Sequence, residues 1–171
     1  MNYLHFSLLL LLPLSLNAAQ PATNGTAPFT VEADQMELDQ TKGTSTYSGN
    51  VTLIQGGLEL RAERITLYTV NRQLQRVVSE GKPTSMERQQ GGQEPPLRAR
   101  AEWIEYQPQQ QLVQLRGKAL LWHDGNEFSG EQISYDLEQK LVRASGDKQG
   151  DSRVRVLLQP ANEVPSTEKR P

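Results

Sequence analysis

The sequence predicts an all-β protein, a stack of bent antiparallel hairpins, and three observations carry that reading. The first is a phrase of about ten residues that occurs four times. It reads Phe29-x-Val31-x-Ala33-Asp34-x-Met36-x-Leu38, then Leu58-x-Leu60-x-Ala62-Glu63-x-Ile65-x-Leu67. It returns as Leu97-x-Ala99-x-Ala101-Glu102-x-Ile104-x-Tyr106 and as Phe128-x-Gly130-Glu131-x-Ile133-x-Tyr135. The small residue stands at 33, 62, 101 and 130, so the copies are 29, 39 and 29 residues apart, the spacing of a repeat architecture. The second observation is alternation of apolar residues inside each phrase, the period of a half-buried strand. The third is a slip of one residue at the same place in every copy. Such a slip sends the following side chains to the other face unless the strand bends or bulges there. No helix is needed.

Taken in order, residues 1–18 read as a secretory signal. Leu8 to Leu12 is unbroken leucine, extended by Leu14 and Leu16 and followed by Asn17, Ala18 and Ala19. That stretch falls short of the ~20 apolar residues that span a bilayer, and its small residues place cleavage after Ala18 or Ala19, with Ala18 favoured. Residues 19–27 lack periodicity and form a flexible lead-in. The repeats fill 28–160. Gly49, Gly117 and Gly146 each follow their small residue by sixteen positions, and Gly81 follows its own by nineteen. Strands come next in at least two copies, Asn50 to Ile54 and Lys118 to Trp122. Turn chemistry separates the strands at Gln55-Gly56-Gly57, Asp124-Gly125-Asn126 and Gly146-Asp147-Lys148. The polar run from Arg88 to Pro96 is an insertion that accounts for the one long step. Arg153 to Leu158 reads as a last strand, and residues 161–171 as a disordered tail.

Composition excludes several chemistries. Cysteine is absent, so no disulfide, thiolate nucleophile or cysteine metal site exists. A formal charge of -2 with mixed signs argues against a nucleic-acid partner. His5 lies in the signal, which leaves His123 beside the Asp124-Gly125 turn, a setting that predicts a solvated surface residue. No second histidine completes a zinc site, and no base stands by to activate a serine. Gly56-Gly57 and Gly91-Gly92 are turn glycines rather than a phosphate loop. Neither an enzyme nor a cofactor is expected.

Alternation puts Val31, Leu58, Leu60, Ile65, Leu67, Ile104, Tyr106, Phe128, Ile133 and Tyr135 on one face, with Glu59, Arg61, Thr66, Glu105 and Ser134 on the other. Two readings follow. One is a β-sandwich whose core these side chains simply fill. The other is an apolar trough that holds a ligand. Small residues at all four bends favour the trough, and so do aromatics at 6%, too few to plug a wide interior. At about 25 cal/mol per Å² of buried apolar surface, one acyl chain gains several kcal/mol there without any polar contact.

The motifs resemble those of the OstA-like family. They are Ala33-Asp34-Gln35 with Leu38-Asp39, Tyr47-Ser48-Gly49-Asn50-Val51, Gln55-Gly56, Ala62-Glu63, Gly81-Lys82-Pro83, Leu115-Arg116-Gly117-Lys118-Ala119 and Gly130-Glu131-Gln132-Ile133-Ser134-Tyr135. Their order and spacing cover 28–160. The resemblance implies an open, twisted, V-shaped β-jellyroll in the periplasm, with the acyl chains of lipid A inside the V and the sugar outside. It also implies carriage of lipopolysaccharide from the inner to the outer membrane. Assembly would be head to tail, with an LptC-like inner-membrane protein, an LptD-like outer-membrane protein and the chain itself. Relatives of the LptC or LptD N-terminal kind share the fold, and a filled-core structural protein without ligand is the rival from another class.

By resemblance, Phe29 and Val31 match an N-terminal edge strand that lines the cavity, and Met86 and Tyr106 match interior positions associated with lipid contact. Together with the alternation, the candidate lipid-binding residues are Phe29, Val31, Met36, Leu38, Leu60, Ile65, Leu67, Met86, Ile104, Tyr106, Phe128, Ile133 and Tyr135. The expected assembly edges are Phe29, Thr30 and Val31 at one end and Arg153, Val154, Arg155 and Val156 at the other. An open sheet has two unpaired edges, and contact between unlike edges does not close on itself.

Overall fold

A computed structural model describes residues 28–89, 95–147 and 152–159. The signal, the lead-in, Gly91-Gly92, Lys148 and the C-terminal tail lie outside the described residues. Ten strands follow one another: β1 (Phe29–Glu32), β2 (Gln35–Asp39), β3 (Thr44–Gln55), β4 (Leu58–Val70), β5 (Gln73–Arg88), β6 (Leu97–Gln107), β7 (Leu112–His123), β8 (Asn126–Asp136), β9 (Leu141–Ser145) and β10 (Arg155–Leu157). Among the described residues the one helical turn is Pro108–Gln110. All pairs are antiparallel, and consecutive strands from β3 to β8 are neighbours. β1 and β2 share β3 at one margin, and β9 and β10 share β8 at the other. The sheet is not closed.

The repeated phrase occupies β4, β6, β8 and the pair β1–β2, and its slip is where the ladder breaks. Register shifts fall between Ser48 and Val51, Arg61 and Arg64, Glu80 and Thr84, Arg100 and Trp103, and Arg116 and Ala119. A bulge bends its strand and turns the following side chains, so breaks aligned across neighbours crease the whole sheet. One arm carries 29–32, 51–55, 58–61, 84–88, 97–100, 119–123, 126–130 and 155–157. The other carries 35–39, 44–48, 64–70, 73–80, 103–107, 112–116, 132–136 and 141–145. The result is an open V-shaped β-jellyroll.

For Gly49 and Gly117 the sixteen-residue spacing from the small residue becomes a contact at the crease. Asn50 Nδ2 donates to Asp34 Oδ2 at 2.9 Å, and Lys118 Nζ to Glu102 Oε1 at 2.7 Å. Both donors follow a glycine, and both dipeptides hold positive φ: Gly49 +81° and Asn50 +47°, Gly117 +75° and Lys118 +50°. A Cβ at Gly117 would stand 2.7 Å from Glu102 Oε2, and one at Gly49 would strike the Asp34 carboxylate. We expect Gly117→Ala to lower stability by about 1–2 kcal/mol, the left-handed penalty of a side chain, with displacement of Glu102 added to it. Chemical denaturation checks this.

Hydrogen bonding from Lys118, and then its charge, hold the Glu102 carboxyl below its ordinary value of 4.5. Because the folded value is the lowered one, the pair stabilises the crease above the ordinary value and loses that contribution as pH falls through the depressed one. Both side chains are largely solvated, so the effect on stability is small. An NMR titration should show Glu102 protonating later than a free glutamate in the native protein, and at the ordinary value in Lys118→Met.

One expectation is corrected here, and one strand went unannounced in the sequence. The last strand is Arg155–Leu157, and Arg153 and Val154 precede it; only 155–157 find partners, on Glu127–Ser129. β9, which forms part of the same margin, carries Leu141 and Val142 side by side and so hides its alternation.

Candidate functional site

Register places the apolar side chains of successive strands in rows that cross the sheet. On one arm Val31, Leu53, Leu60, Met86, Ala99, Leu121, Phe128 and Val156 stand opposite one another in turn. On the other arm one row is Met36, Tyr47, Ile65, Ser79, Ile104, Leu115, Ile133 and Ala144. The next is Leu38, Ser45, Leu67, Val77, Tyr106, Val113, Tyr135 and Val142. The small residues sit at the crease, where Val51 faces Ala62, Thr84 faces Ala101 and Ala119 faces Gly130.

Twelve of the thirteen residues expected to meet lipid lie in these rows. Phe29 lies on the same face as Val31, two residues nearer the strand end. Their environments differ by position along the row. Leu60, Ile65, Leu67, Met86, Ile104, Ile133 and Tyr135 are 0–2% exposed, and Tyr106 is buried as well. Val31 and Phe128 are partly buried against them. At the β1–β2 margin Phe29 is 39% and Met36 60% exposed, with Leu38 between them. The far margin exposes Val156 at 44%, with Val154, Leu157 and Leu158.

The expectation of a trough unfilled along its length therefore needs amendment. Mid-sheet, the two arms pack their rows on each other, and apolar surface stays open at the margins, where each row ends without a neighbouring strand. Residues on the intervening strands complete the interior: Val51, Leu53, Val77, Val113, Leu115 and Leu121, all buried. Of these, Leu53 and Leu121 were legible in the strands after Gly49 and Gly117, whereas Val77 lies in a strand that no glycine announces.

Polar groups are few inside. Thr84 Oγ1 lies 3.0 Å from both the Arg61 carbonyl and Ser79 Oγ, so the hydroxyls buried at the crease are satisfied. His123 is not on the solvated surface as its turn suggested. It has the same parity along β7 as Leu121, faces inward, is 8% exposed, and its Nε2 lies 3.0 Å from the Tyr135 hydroxyl. At the rim of the first arm a cavity of about 630 Å³ lies among Met86, Ala99, Trp122 and His123, with Arg61, Arg98 and Arg100 around it. Two of these cations are matched on the outer face, Arg61 by Glu59 at 2.5 Å and Arg98 by Glu87 at 3.0 Å.

A creased, unclosed all-β sheet with an apolar interior and two free margins defines the class of protein. Comparison with known proteins gives the family. Residues 30–141 match the family model described as LptA/(LptD N-terminal domain) LPS transport protein. The chain belongs to that family. It is 33% identical over 139 residues to the lipopolysaccharide export system protein LptH of Pseudomonas aeruginosa, covering 78% of this chain and 79% of the relative. With LptA of Escherichia coli K12 it shares 27% identity over 136 residues, covering 78% and 72%. The crystal structure of the Pseudomonas aeruginosa LptH, an LptA-homologous periplasmic transport component, superposes with a TM-score of 0.71 at 30% identity. That match covers 78% of this chain and 96% of the solved one.

Proposed function

We propose that this protein is a periplasmic lipopolysaccharide carrier, a bridge rather than an enzyme. It takes lipid A acyl chains along its inner rows and stands end to end with partner jellyrolls between the inner and outer membranes. One observation carries the reading: the apolar rows run in register from margin to margin, and each ends on an exposed side chain at one of them, Met36 and Leu38 on β2 and Val156 on β10. Family membership and the periplasmic export relatives support it.

Burying acyl carbon contributes about 0.8 kcal/mol per methylene, so a dozen give roughly 10 kcal/mol. Chains that enter between the arms displace the contacts that the rows make with one another, which offsets much of that gain. A moderate net affinity suits a carrier that must release its cargo. At the margins β1 and β2 present one free ladder and β9 and β10 another, and free ladders recruit strands. The partners are an LptC-like protein at one membrane, an LptD-like protein at the other, and further copies of this chain.

The close packing mid-sheet favours a second reading, a filled-core β protein without ligand. Lipid extraction of the protein purified from the periplasm, followed by mass spectrometry, separates the two. Lipid A-bearing species should co-purify in the folded protein. Folded protein that carries no such species supports the filled core.

A further inference from the structure

We infer that Tyr135 and His123 form a latch across the mouth of the V, which sets how readily the interior admits an acyl chain; the second half of this rests on the carrier reading above. Tyr135 belongs to the second arm, opposite Val113 and Val142. His123 belongs to the first, at the tip of the β7–β8 hairpin opposite Asn126. Between them lies the crease, where the ladder breaks from Arg116 to Ala119. His123 stands four residues past Ala119, and Tyr135 three past Gln132. At ~3.3 Å per residue each is about 10–13 Å out along its arm. Side chains so far from the fold line meet only where the arms are close.

They do meet. The hydroxyl and Nε2 are 3.0 Å apart, and the rings are tilted by 45° with centroids 4.8 Å apart. Tyr135 is 1% exposed and His123 8%. The bond satisfies two polar groups set in an apolar interior. Parting the arms breaks this bond together with the apolar contacts around it. On the solvent side Asp124 Oδ2 lies 3.2 Å from the same Nε2, on the exposed turn. Tyr106, the other buried tyrosine of that row, makes no such bond to the first arm among the described residues and serves as the control.

The chain has no cysteine of its own. Spin labels on Ile54→Cys and Arg143→Cys, exposed positions on opposite arms, report the spacing of the arms by double electron–electron resonance. Uptake of a dansyl fatty acid by the same mature protein reports admission. Tyr135→Phe keeps the ring and loses only the hydroxyl. We expect longer and broader inter-arm distances, and uptake faster by about two- to tenfold, the worth of one hydrogen bond. Tyr106→Phe should change neither, and His123→Gln, which can still bond the hydroxyl, should stay near the parent.

Distances and uptake unchanged in a folded Tyr135→Phe overturn the latch while leaving the carrier reading intact. Longer distances with no uptake by parent or variant overturn the carrier reading and the gating role with it. Equal effects in Tyr106→Phe would mean general loosening and also overturn the latch.

Discussion

Leu121→Ala is expected to lower the free energy of unfolding by about 2–5 kcal/mol, the usual cost of emptying a closed core site. Leu121 is 0% exposed and stands between Ala99 and Phe128 in the inner row. Its neighbour Ala99 is too small to swing into the space. Leu120, the adjacent residue on the outer face, is only half-buried, and its replacement by alanine should cost less than about 1.5 kcal/mol. Urea unfolding of the two variants checks the contrast through the midpoint. Equal losses would contradict the assignment of inner and outer faces.

The double variant Phe29→Glu/Met36→Glu is expected to weaken head-to-tail self-association more than about tenfold while leaving the fold in place. Both side chains are exposed at the free margin, and substitutions at such sites shift stability by about 0.5 kcal/mol each. Continuation of the sheet by another copy would bury two carboxylates against the apolar end of the partner's rows at Val156, while Arg155, its strand neighbour, lies on the outer face opposite Ser129. Unpaired charge in such a contact costs far more than the apolar contact it replaces. Sedimentation velocity over a concentration series reads the change. Undiminished association with an unchanged unfolding midpoint would place the interface elsewhere.

Much of this architecture is legible in the chain because a bulge has to be written into every strand that carries it. The slip after Ala33, Ala62, Ala101 and Gly130 is the crease itself, and two of the recurring glycines, Gly49 and Gly117, mark where positive φ is needed opposite an acidic residue. The inner rows follow from alternation alone for β4, β6 and β8. What escaped the sequence has physical reasons. β9 pairs through its backbone with β8 and needs no alternating pattern to do so. Arg153 and Val154 look like strand but have no register partner. His123 follows parity rather than the polarity of its neighbouring turn, and its inward position is fixed by a hydroxyl twelve residues on. Whether the interior is filled depends on how closely two arms approach, a distance that no local pattern encodes.

The central claim, that acyl chains lie between the arms, is tested most directly by site-specific photocrosslinking in cells. A benzophenone side chain at Phe128, on the inner row and partly buried, should yield a lipopolysaccharide adduct. The same group at Leu120, paired in register with Ser129 on the outer face, should not. Adducts from Leu120 alone, or from neither position in folded protein, would contradict the account.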